Sequence, residues 1–323
     1  MKYQSISRLD KPVSRLVLGC SGAKFRSGEA VDELMEAALD CGINCFDTAR
    51  EYGGSEAAIG RWLARSGRRE ELVLISKCCH PTLAFVQRVN PRAAEADLAR
   101  SLETLGTDHI DLYLLHRDSR FAPVERIIET MNRFREEGKI RAFGASNWTA
   151  ERIAAANAWA ESRGLEGFTV SSPHYSLGRQ IRDPWGNGCL SVTGEKNAPQ
   201  RQWYREKGMP LFCWSALSAG VFSGRIKSEG WGELRRTLGF NANRAYNCPD
   251  NRERLRRCEV LAREKGASVA QLALAWLLGA EEMTFPILSA SSPARLRENA
   301  AAAELDLTPE ERAYLNLERE TPA

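Results

Sequence analysis

Short apolar runs alternate with longer stretches of helical period along most of the chain. Leu16–Leu18, Cys45–Phe46, Leu72–Ile75, Ile110–Leu115, Ile140–Phe143, Phe168–Val170, Pro210–Cys213 and Met283–Leu288 read as eight buried strands. Between them the apolar spacing becomes i, i+3, i+4, i+7. Val31, Leu34, Met35 and Ala38 show it, as do Val124, Ile127, Ile128 and Met131, and Val269, Leu272, Ala273 and Trp276. Capping residues mark helix starts at Ser55, at Ser292-Pro293, and at Thr308-Pro309, where Glu311 closes a capping box. Strand and helix alternating about eight times predicts a parallel sheet with crossover helices. No GxGxxG follows the first strand, which favours a closed (β/α)8 barrel over a doubly wound dinucleotide fold.

The pattern has no internal linker or repeat, so residues 1–323 are expected to form a single barrel domain. Residues 1–14 are expected to cap the barrel floor as a short β-hairpin, and residues 318–323 to form a loose tail. Two interruptions are long, Ser176–Gly208 and Ser215–Asn251, both rich in Gly, Asn, Arg and Trp. Loops of this size in a compact barrel are usually functional and sit on the face where the strands end.

Composition changes this picture little. Of 323 residues, 43% are hydrophobic and 27% charged, and the net charge of +3 gives no reason to expect a nucleic-acid partner. No run approaches about 18 apolar residues, so no membrane span is expected. The start, MKYQSISRLD, has no secretory apolar run, and nine cysteines is an odd number. Reduced thiols in the cytoplasm are therefore the expectation. Cys78-Cys79-His80 lacks a second pair at ligand spacing, and no metal site is expected there.

The candidate chemistry lies at the strand ends, where barrel enzymes keep their sites. These ends are Asp47, Lys77, His116, Ser146-Asn147, Ser172, Trp214 and Ser289. An Asp, Lys or His at one strand end alone reads as a salt-bridged core edge. The local strings weaken that reading: GINCFDTAREYG at Gly42–Gly53, LVLISK ending in Lys77, LARSLETLGTDHIDLYLLH from Leu98 to His116, and GKIRAFGASNW at Gly138–Trp148. In order and spacing they resemble the aldo-keto reductase family, and the resemblance runs from about Leu16 to Glu311.

The resemblance implies a catalytic tetrad of Asp47, Tyr52, Lys77 and His116. Hydride reaching a carbonyl carbon makes an alkoxide that needs a proton, and a free phenol, pKa about 10, is a reluctant donor. Lys77 is expected to lower that pKa, Asp47 to hold Lys77, and His116 to orient the carbonyl oxygen. The resemblance further implies a nicotinamide coenzyme site. Its members are Cys20, Ser21 and Asp47 near the first strands, Ser146 and Asn147 on the carboxamide, and Ser172 beneath the ring. Trp214 is implied to stack on the nicotinamide, with Ser215, Ala216, Leu217 and Arg225 along the pyrophosphate.

ILSASSPARLREN resembles the adenosine-phosphate motif of the channel β-subunit-like branch of the family. It implies roles for Ser289, Ser291, Arg295, Glu298 and Asn299, with Arg295 beside a helix N-terminus suited to a 2′-phosphate. NADP(H) is therefore expected, with NAD(H) left open. Many relatives have Gln at Ser172, and some have Lys at Ser289. In the Ser176–Gly208 segment, Arg182 and Trp185 are candidate substrate contacts, as is Trp148. The implied activity is reduction or oxidation of an aldehyde, ketone or sugar-like alcohol. A cofactor-binding regulatory subunit and a nicotinamide-assisted isomerase or lyase are the alternatives, and oligomeric state is not legible.

Overall fold

Buried strands bounded by polar turns need both faces covered, and the chain meets that need by closing its sheet on itself. The computed structural model describes residues 1–82, 86–186 and 188–322. Two short antiparallel strands, β1 (Tyr3–Gln4) and β2 (Val13–Ser14), form the hairpin expected at the N-terminus. Eight parallel strands follow: β3 (Val17–Gly19), β4 (Cys45–Asp47), β5 (Val73–Cys78), β6 (Ile110–Leu115), β7 (Ile140–Ser146), β8 (Val170–Ser172), β9 (Leu211–Cys213) and β10 (Thr284–Leu288). They pair in sequence order, and β10 closes onto β3 through Ile287 opposite Val17. The fold is the (β/α)8 barrel.

The barrel interior is filled by inward residues from alternating positions, among them Val17, Cys45, Val73, Ile75, Leu112, Phe212 and Phe285. Phe212 and Phe285 stack with centroids 4.7 Å apart. Ile6 and Val13 from the hairpin close the floor beneath them. The outer core lies between strands and helices, where the i, i+3, i+4 residues point: Leu34, Met35, Ile127, Ile128, Leu272 and Ala273 are all buried.

Four local expectations need correction or qualification. Ser55 is the first residue of the helix Ser55–Ser66 and makes no cap. Its hydroxyl donates to Cys20 O and lies 2.8 Å from Thr48 Oγ1, joining the ends of β3 and β4. The sixth barrel strand begins two residues later than expected, because the Asn157 side chain takes both Phe168 N and Phe168 O. Of the Ser176–Gly208 segment, Ala198–Glu206 is helix, with Tyr204 buried against Ser171, so only the preceding strap is free to cover the rim. Of the tail at 318–323, Ala323 lies outside the described residues. Residues 319 and 320 are clamped by buried Arg257, which donates to Arg319 O and pairs with Glu320.

The helix Ser55–Ser66 crosses Pro91–Leu105 at Gly60, where a Cβ would lie 2.4 Å from Thr104 O and 3.0 Å from Leu105 Cα. Backbone on the far side cannot yield as a side-chain end can. Gly60→Ala is therefore expected to cost about 1–3 kcal/mol of stability, read from denaturant unfolding. An unchanged midpoint would show that the two helices can separate freely.

Candidate active site

The strand ends bring the expected residues to one rim. Thr48 N donates to Ile75 O and Arg50 N to Lys77 O, so the chain leaving β4 stays laced to β5. The turn that follows carries Tyr52, whose N–H donates to Ala49 O. Gly53 (φ +58°) and Gly54 then pass so close to the backbone at Arg26 and Gly28 that a Cβ on either would collide. This packing sets the Tyr52 phenol over the end of β5.

Lys77 is buried and its ammonium donates to Asp47 Oδ1 at 2.5 Å, Thr48 O at 2.8 Å and Tyr52 OH at 3.4 Å. The His116 ring meets the Tyr52 ring edge-on, centroids 5.5 Å apart, and His80 packs against His116 at 4.8 Å. The four residues of the expected tetrad therefore converge. Their electrostatics differ from expectation in one respect. Burial raises the Tyr52 pKa above its ordinary value, and the Lys77 ammonium only partly opposes that. The phenol is thus protonated near neutrality. Burial disfavours a charged Lys77, but Asp47 and Tyr52 more than compensate and its pKa is raised. His116 is held well below the ordinary histidine range by burial and by the charges of Arg117 and Lys77, and its imidazole is neutral.

These groups open into a cavity of about 840 Å³ that runs along the rim. Of the residues expected to bind coenzyme, Ser21, Asp47, Ser146, Asn147, Ser172, Trp214, Ser215, Ala216, Leu217, Arg225, Ser289, Ser291, Arg295 and Asn299 line it. Cys20 does not: it is fully buried, its thiol turned to Leu18 O. Glu298 lines a neighbouring hollow and pairs with Arg295 at 3.2 Å.

Among the substrate candidates only Trp185 reaches the cavity, with its ring 5.5 Å from that of Trp214. Trp148 is fully buried and donates its indole N–H to Arg117 O, so it forms wall behind the site. Arg182 is exposed and lies outside the lining. Arg179, also exposed, pairs with Asp250. Sequence reasoning passed over Glu51, His80 and Arg117, which line the cavity beside the tetrad. The position of Arg117, directly after the last residue of the tetrad, was the available signal.

The lining is suited to a polar ligand. Ser172 Oγ, Trp214 Nε1 and Asn299 Oδ1 are buried with no hydrogen-bond partner among the described residues. Ser146 Oγ donates to Ser172 O and accepts from Asn147 Nδ2, while Asn147 Oδ1 accepts from Leu190 N. Each of those two oxygens keeps one acceptor lone pair to spare. Non-glycine residues in the left-handed region, Asn147 (φ +63°), Ser215 (φ +52°) and Ala219 (φ +52°), sit on the same wall. Strain of this kind persists only where surrounding structure enforces it. The helix Pro293–Ala300, capped by Ser292, points its free N–H groups toward the Ser291 end of the cavity.

No described group of three or more His, Cys, Asp and Glu residues could hold a metal ion. Cys78 Sγ is turned to Leu114 O. No described helix is long and apolar enough to cross a membrane.

A buried network behind Trp214 escaped the sequence reading altogether. His174 Nδ1 contacts Ser191 Oγ at 2.8 Å, and its Nε2 contacts both Ser176 Oγ and Tyr246 OH at 2.9 Å. Its ring lies 5.0 Å from Trp214. Burial lowers the His174 pKa to about 3. The unfolded chain, with a histidine pKa of about 6.5, therefore binds more protons than the folded one between these values, and stability falls as pH drops through that window. Between pH 8 and pH 5 this group costs about 2 kcal/mol. Chemical unfolding of wild type and His174→Gln at both pH values should show the variant less stable at pH 8 and less sensitive to acid. Equal slopes would mean that His174 is not held neutral.

Comparison with known proteins extends over nearly the same span. The model of the "Aldo/keto reductase family" matches residues 15–317. An uncharacterized oxidoreductase of Bacillus subtilis, YrpG, is 31% identical over 98% of this chain and 95% of its own. The aldo-keto reductase yakc of Schizosaccharomyces pombe, whose name specifies NADP(+), is 29% identical over 92% of this chain and 85% of its own. An NADH-specific methylglyoxal reductase of Escherichia coli is 26% identical over 95% of each chain. With its barrel closed around these strand ends and its match spanning the barrel, the chain belongs to the aldo/keto reductase family.

Proposed function

We propose that this protein is an NADP(H)-dependent oxidoreductase that reduces a small carbonyl compound or oxidises the matching alcohol, with Tyr52 handling the proton. The observation that carries the reading is the contact of the Lys77 ammonium with both Asp47 and the Tyr52 hydroxyl, under the neutral ring of His116.

Ser146, Asn147, Ser172 and Trp214 would hold the nicotinamide, Ser215 to Leu217 and Arg225 the pyrophosphate, and Ser289, Ser291, Arg295 and Asn299 the adenosine phosphate. The unpartnered Ser172 Oγ, Trp214 Nε1 and Asn299 Oδ1 support this fit. The bound coenzyme supplies a hydride to the carbonyl carbon and leaves oxidised. Tyr52 gives its proton to the carbonyl oxygen as the alcohol forms, and the phenolate left behind is stabilised by Lys77. Asp47 keeps the ammonium oriented. His116, neutral, donates its single N–H to the oxygen and so needs no proton of its own to move. Because the phenol is protonated near neutrality, reduction is the direction the resting protein is prepared for. Alcohol oxidation needs the phenolate and is favoured by higher pH.

Tyr52→Phe removes the proton and almost no volume. It should lower kcat by about 10²–10⁴-fold while coenzyme affinity, read by tryptophan fluorescence, stays close to wild type. A kcat near wild type would remove Tyr52 from the role.

The NADP(H) preference rests on Arg295 beside the capped N-terminus at Ser292. A charge-assisted contact to a 2′-phosphate is worth about 1.5–3 kcal/mol, or roughly 10- to 150-fold in affinity. Glu298 already pairs with Arg295 at 3.2 Å, and Ser289 supplies no charge, so the lower part of that range is expected. Titration of wild type and Arg295→Ala with NADPH and NADH tests this. Equal weakening of both would mean that Arg295 does not read the phosphate.

A further inference from the structure

The cavity holds a buried cation that nothing in the proposed chemistry uses. Arg117 is 7% exposed and lies at the tetrad end of the cavity. Its Nη1 donates to His116 O at 3.0 Å, its Nε is buried without a partner, and no described carboxylate lies within ion-pair distance. A buried guanidinium without a counter-charge is costly, and such charges are ordinarily paired.

The nearby carboxylates are committed elsewhere. Asp118, the next residue, is taken by Arg152 at 2.9 Å. Asp47 is spent on Lys77. Asp183, in the strap above, accepts from the backbone N–H groups of Trp185, Gly188 and Cys189. Glu51 lies at the solvent edge, 3.8 Å from His80. The protein leaves this positive charge for something else to neutralise.

We propose that Arg117 receives a carboxylate carried by the substrate, so that the carbonyl compound taken by this cavity is an oxo-acid. This rests on the carbonyl-site reading above and narrows its substrate class. The planar guanidinium offers parallel N–H groups that match a carboxylate. Arg117 donates to His116 O and lines the same cavity as Tyr52 and His116, so an acid group held there shares the cavity with the carbonyl at Tyr52. The exposed arginines of the strap, Arg179 and Arg182, take no part.

The test uses the NADPH-loaded protein with para- and meta-carboxybenzaldehyde, each against its own methyl ester. Wild type should favour at least one acid over its ester in kcat/KM, through KM. In Arg117→Met that acid-to-ester ratio should fall by about 10- to 150-fold, and Arg117→Lys should restore part of it. Reading the ratio within each variant cancels general damage to the site.

A binding titration of wild type with the unreactive pair 4-hydroxybenzoate and 4-hydroxybenzamide covers the case of a variant that does not fold. The carboxylate should bind more tightly, with the change reported by Trp185 and Trp214. Esters reduced as well as acids, a ratio unchanged in Arg117→Met, or equal binding of the unreactive pair would overturn the Arg117 assignment while leaving the oxidoreductase reading intact. Preferred binding of the carboxylate with no aldehyde reduced would sink the oxidoreductase reading and leave the Arg117 subsite standing.

Discussion

The structure at the rim depends on one buried ion pair. Removing an ammonium and a carboxylate from water costs several kcal/mol per ion, recovered only when geometry and further hydrogen bonds are good. Lys77 meets that demand with Asp47 on the adjacent strand, Thr48 O and the Tyr52 hydroxyl. The strand register places Asp47 opposite Ile75, so the pair spans the β4–β5 seam at the level where the sheet ends. A loop could not hold two charges this dry at this distance. The closed barrel does so because each strand end is fixed by two neighbours, and the laced turn after β4 then sets Tyr52 where the ammonium still has a donor to spare.

A contrast among the polar groups separates structure from proposed function. Several polar side chains of the wall have partners inside the protein: Ser55 with Cys20 O, Asn157 with Phe168, His174 with three hydroxyls. Along the cavity, Ser172, Trp214, Asn299 and Arg117 each carry an atom without one. An unmade buried hydrogen bond costs about 1–3 kcal/mol, and these four residues line one cavity, where a polar ligand could complete them.

The barrel was legible because it is written in local patterns, whereas the four residues Asp47, Tyr52, Lys77 and His116, which the structure brings together, were implied by the family resemblance. Eight apolar runs predict the strands, and seven of them lead into a polar or aromatic residue at the strand end. The errors fall where a side chain overrides the pattern. Asn157 occupies the backbone at Phe168 and delays β8, and Ser55 joins two strand ends instead of capping a helix. Trp148 and Arg182 looked alike as polar or aromatic residues near the rim. Yet one faces inward to Arg117 O and the other faces solvent, a difference of side-chain direction that spacing does not encode. The Tyr52 pKa was misjudged for a related reason. Its charged neighbour was visible in sequence, whereas the burial that outweighs it depends on the assembled pocket.

The strap before Ala198–Glu206 shows how the remaining long loop is made rigid without regular structure. Asp183 gathers backbone N–H groups of the strap's tip, Leu190 N donates to Asn147 Oδ1, and Ser191 is tied to His174. Two of those anchors, Asn147 and His174, lie beside Trp214, so Trp185 is brought down onto that ring by the same residues that shape the rim beneath it. Trp185 therefore stands beside Trp214 on a strap whose anchors belong to the rim itself. Arg117, buried in the same cavity, is screened less by water than a charge at an open surface would be.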